Sequence, residues 1–70
     1  MNRYFFHIDG PRPQEDTAGI LLSDDSAAWD EALQTVRNIE DNLKPGEEWR
    51  LEVAEDGRSV FLLTVASRRI

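Results

Sequence analysis

The stretch EWRLEVAEDGRSVFLLTV, residues 48–65, decides the fold. Its first half alternates: Trp49, Leu51 and Val53 share one face, while Arg50 and Glu52 share the other. That period of two marks a half-buried strand over Glu48 to Ala54. Asp56-Gly57 then reverses the chain, because both residue types tolerate the positive φ that tight hairpin turns demand. Ser59 to Val65 returns as a nearly continuous apolar run. Its facing depends on the turn. A two-residue turn sets Val53 opposite Val60, whereas a three-residue loop with a glycine bulge sets Val53 opposite Ser59. The second is favoured, because it places the bulkier set, Phe61, Leu63 and Val65, beside Trp49 and Leu51.

Upstream of the hairpin lies a helix. Ser23, Asp24, Asp25 and Ser26 are all competent N-caps. Trp29, Ala32, Leu33, Val36, Ile39 and Leu43 follow at helical spacing, with Asp30, Gln34, Arg37 and Asp41 on the opposite, wet face. Lys44-Pro45-Gly46 ends the helix, since proline cannot continue the hydrogen-bond ladder. Before the helix, Gly19 to Leu22 reads as a short strand with Ile20 and Leu22 inward. Gly10 to Asp16, with two prolines, is a loop. The opening Arg3 to Asp9 is a strand with Tyr4, Phe6 and Ile8 toward the core and Phe5, His7 and Asp9 away from it. Residues 66–70 read as a frayed tail.

These elements predict a single α+β domain spanning residues 1–70, in the order β-β-α-β-β. Its architecture is an antiparallel sheet of three to four strands with one helix packed on one face. With no cysteine and one histidine, neither disulfides nor a metal staple can hold so short a chain; ordinary packing must. Aspartate and glutamate outnumber lysine and arginine by 14 to 8, a net charge of −6. That balance argues against nucleic acid and against anionic membrane surfaces, both of which need clustered cations. No apolar run suits a signal peptide or a transmembrane helix, so a cytoplasmic location is expected.

Arg3-Tyr4-Phe5-Phe6-His7, the Gly-x-x-Leu at Gly19 to Leu22, Asp24 leading an alanine-rich helix, and Trp49-Arg50-Leu51-Glu52-Val53 before Asp56-Gly57-Arg58 form a pattern. It resembles a family of small alphaproteobacterial, chiefly rhizobial, proteins with a domain of unknown function. The resemblance implies the same strand–helix–hairpin order and places His7 in the family's opening motif. It implies no activity. Leu21 stands where the pattern has an acid.

No constellation for catalysis, cofactor or metal is legible. His7 with Asp9 two residues on is the nearest to a site, yet a general base needs a nucleophile and an orienting group around it. Glu15-Asp16 and Asp24-Asp25 pair carboxylates without calcium-loop spacing, and read as a solvated loop and a cap. Trp29 and Trp49 read as core partners. What the core leaves over is apolar: Phe5, Leu21, Val60 and Leu62 fall on outward faces and would form a contact patch if their strands adjoin. The leading reading is therefore a non-enzymatic protein-interaction module, self-association included, with no inferable small-molecule ligand or cofactor. Two others stay open: an acidic inhibitor or antitoxin-like protein seated on a basic target site, and a small metal-dependent or hydrolytic enzyme using His7.

Overall fold

The computed structural model describes all 70 residues. Five elements follow in order: β1 (Asn2–Asp9), β2 (Ile20–Leu22), α1 (Asp25–Asp41), β3 (Glu48–Glu55) and β4 (Arg58–Ala66). The four strands make one sheet in the order β2-β1-β3-β4, and every neighbouring pair is antiparallel. The expected α+β architecture is thus met. Helix α1 crosses one face and touches β2, β3 and β4.

Asp24 starts the helix: its backbone is extended and its carboxylate accepts the Ala27 N–H at 2.9 Å. Acceptance of an otherwise unpaired N–H is what a cap supplies. The helix stops at Asp41, short of the expected Lys44-Pro45-Gly46, and Leu43 lies beyond it. Lys44 instead opens a turn in which Glu47 accepts the Lys44 N–H at 2.9 Å, consistent with proline's bias against helical geometry in the residue before it.

Buried Ala28, Ala32 and Ile39 centre the helix's inner face. Ala28 was missing from the sequence-derived core, and Trp29 was wrongly placed in it. Trp29 is 40% exposed on the helix flank, its ring centroid 5.1 Å from that of Phe61 in an edge-to-face arrangement. Small side chains at positions 28 and 32 let the helix backbone approach Tyr4, Leu51 and Val53, which lie beneath it with almost no exposure. A tryptophan on that line would hold helix and sheet apart. Trp49 is buried, as expected.

The hairpin resolves differently from either expected form. Asp56 (φ +49°) and Gly57 (φ +78°) make a two-residue turn between Glu55 and Arg58, so the favoured three-residue loop is incorrect. Ala54 then pairs with Ser59, but Val53 pairs with Phe61. Val60 is an extra residue, a β-bulge. The expected inward set, Phe61, Leu63 and Val65, nonetheless faces β3's Val53, Leu51 and Trp49. An unbulged register would bring Thr64 to the core face and expel Phe61, and burial of the larger apolar set decides against it. The tail also needs correction, since Ala66 closes β4 and the Ser67 N–H donates to the Glu47 carbonyl at 2.9 Å.

Candidate interaction surface

Strand order settles where the four outward apolar residues go. The four do not all share one face. Val60, displaced by the bulge, packs against the core cluster on the helix side. On the open face Phe5 lies opposite Ala54, Leu21 opposite Arg3, and Leu62 opposite Glu52. Strand β3, carrying Arg50 and Glu52 on that face, separates β1 from β4. Glu52 accepts the Ser59 hydroxyl at 2.6 Å. Charge therefore divides what single strands made look continuous, and the open face is as polar as a solvated sheet face should be.

His7 and Asp9 do share this face, opposite Glu52 and Arg50. The Asp9 carboxylate accepts the neighbouring Gly10 N–H at 3.0 Å, rather than orienting the imidazole. No cluster of three or more histidine, cysteine or acidic side chains is placed to hold a metal ion. A cleft of about 390 Å³ opens near the C-terminal half of the helix, with Ile8, Ile39 and Trp49 among its walls. The Arg12 guanidinium lies 6.0 Å from the Trp49 ring centroid there.

Asp16, expected as part of a solvated loop, instead anchors the backbone of two segments. One carboxylate oxygen accepts the Ala18 and Gly19 N–H groups at 3.1 and 2.9 Å, and the other reaches across to the Phe6 N–H at 3.2 Å. The local signal, Asp16-Thr17-Ala18-Gly19, is that of an Asx-type turn; the bond to Phe6 has none. These bonds, the one from Gly19 first, hold the Asp16 carboxyl below its ordinary value, and positive charge on His7 adds to them.

Asp16 also completes a sheet edge. The pairing of β2 with β1 covers only Asn2, Arg3 and Tyr4. Beyond it Asp16 takes the Phe6 N–H, and Ile8 and Gln14 exchange backbone hydrogen bonds of 2.9 and 2.8 Å. The edge of β1 thus has partners along its length. The opposite edge does not. Strand β4 ends the sheet, nine residues long, with no strand beyond it. Ser59 to Ala66 contains no charge and no proline, the usual edge blockers. Trp29, 40% exposed, stands beside β4 on the helix side, and Leu62, 69% exposed, stands on the other.

At the base of the hairpin the Tyr4 hydroxyl donates to the Asp25 carboxylate at 2.7 Å. Arg58 lies 3.7 Å from the same oxygen and 2.7 Å from Glu55. The bond to Asp25, then burial, raises the Tyr4 phenol above its ordinary 10.0. A raised folded value means stability that is intact below 10.0 and lost as pH climbs through the folded value. The unfolding midpoint of the wild type should accordingly fall more steeply in strong alkali than that of Tyr4→Phe, measured by circular dichroism across that range. Parallel curves would show that the bond carries no such linkage.

These features define an α+β domain with one sheet edge finished and the other open. The chain belongs to the family of a domain of unknown function, DUF6894, whose profile matches residues 3–66. No curated protein and no solved structure matches it. No helix is long and apolar enough to cross a membrane.

Proposed function

We propose that this chain is a non-enzymatic protein-interaction module whose contact surface is the β4 edge, flanked by Trp29 and Leu62. The carrying observation is the contrast between the edges. One is covered by a short strand, a carboxylate and a loop bridge, whereas β4 offers an uncharged run of backbone without a partner strand. Added strands bind such edges through main-chain hydrogen bonds, with alternate side chains supplying specificity. A tryptophan at the margin suits contact, since aromatic anchors concentrate binding energy. The open face, assigned to contact from the sequence, gives way to the edge because Arg50 and Glu52 divide it.

The test is capture from native lysate with wild type and with Leu62→Lys/Thr64→Lys, which places edge charges at two exposed positions. Proteins held by the wild type at high salt and lost by the variant support the edge. The same set on both baits would overturn it. Capture that vanishes in salt and ignores the variant points to the acidic-inhibitor reading instead.

A further inference from the structure

We infer that β4 pairs antiparallel with β4 of a second copy of this chain, with Leu62 at the two-fold axis. The inference rests on β4 being the contact edge and names the occupant. A strand paired antiparallel with itself is an isologous contact, so one operation completes both open edges and the assembly closes as a dimer. The two sheets become continuous, with both helices on the same side.

Backbone geometry permits this register. Ser67 turns its N–H toward Glu47, on the β3 side. The alternation of a strand then aims the backbone groups of Leu62, Thr64 and Ala66 outward. In this register Leu62 meets its own copy in the regular part of the strand, while Thr64 comes level with Val60, the bulged residue, and Ala66 with Arg58 of the second copy.

Charge selects the direction. The hairpin end of β4 carries Glu55 and Asp56, and the far end leads into Arg68 and Arg69. Asp56, Arg68 and Arg69 make no ion pair within the chain, while Glu55 is held by Arg58. With Leu62 opposite its own copy, Arg68 comes level with the Glu55-Asp56 pair of the second copy, and the reciprocal contact forms at the other end. A parallel pairing would set basic end against basic end. Between the two charged ends the strand is neutral, so nothing there opposes approach. The pairing also places the most exposed leucine of the sheet, Leu62, against its counterpart.

Sedimentation equilibrium from low micromolar to millimolar concentration, in low and high salt, tests the proposal. The wild type should dimerise, and the Leu62, Thr64 and Ala66 amides should exchange more slowly as concentration rises. Leu62→Lys/Thr64→Lys should be monomeric with an unchanged circular dichroism spectrum. Arg68→Glu/Arg69→Glu, which alters only residues beyond the sheet, should dimerise roughly ten-fold more weakly in low salt, the difference shrinking in high salt. This second variant keeps the test valid if the first fails to fold. A wild type monomeric at millimolar concentration overturns the proposal. So does a dimer that leaves those amides unprotected, or a tail variant that associates as tightly as the wild type. If the wild type is monomeric while lysate capture still depends on the edge, self-pairing fails and the broader reading stands.

Discussion

Gly57→Val should destabilise the domain by about 2–3 kcal/mol, because the turn requires a backbone conformation that a β-branched residue resists. Gly57 has φ +78°, and a Cβ built there meets nothing within 4 Å. The cost is therefore local to the turn backbone, with no clash against the rest of the fold. Asp56 already occupies the same region at φ +49°, as both central residues of this turn class must. In a domain this small the loss corresponds to a fall of roughly 10–20 °C in the unfolding midpoint. Gly57→Asn should lose far less, since asparagine tolerates the left-handed region. Thermal unfolding followed by circular dichroism separates the variants. An unchanged midpoint in Gly57→Val would rule out the two-residue turn and the bulged register built on it.

Asp16→Ala should cost about 2–3 kcal/mol through a different mechanism, the loss of one acceptor for three backbone donors. Water can replace it at exposed Ala18 more readily than at Phe6 and Gly19, which are partly buried. The amide of Phe6 should then exchange faster in Asp16→Ala while amides in β3 keep their protection. Asp16→Asn keeps one oxygen and should retain the turn bonds but not the bond to Phe6.

The acid behaviour of Asp16 follows with a definite sign. Its folded-state value lies below the ordinary 3.8, so its contribution is complete above 3.8 and is lost as pH falls through the folded value. Below pH 3.8 the wild-type midpoint should decline more steeply than that of Asp16→Asn. Equal slopes would mean the carboxylate is not held by these bonds.

Local patterning carried most of the fold. The alternation of Trp49, Leu51 and Val53, the aromatic alternation from Tyr4 to Ile8, and Asp24 ahead of a 3.6-residue period each specify an element within a few residues. Their physical basis is short-range: side-chain period, capping and turn preferences act between near neighbours. The same reasoning failed where a one-residue choice hung on packing elsewhere. Whether Ala28 or Trp29 faces the sheet depends on how closely the helix can settle over Tyr4, Leu51 and Val53. Likewise, a regular strand can turn either Val60 or Phe61 toward the core, and only the bulge, driven by burying Phe61, lets both reach that side.

The candidate surface was legible in part. Leu62 was singled out, but as part of a face that Arg50 and Glu52 divide. The edge beside it was invisible, because a strand's position in the sheet is not written in the strand. Composition, periodicity and capping determined by themselves that the chain is an acidic α+β domain with a β-β-α-β-β order. Tertiary structure alone decided that β1 lies between β2 and β3, that Asp16 closes one sheet edge, and that β4 is left open at the other. Those outcomes depend on contacts between segments far apart in the chain. Their energies are set by the pairing of whole strands and the burial of shared faces, which no single window of sequence contains.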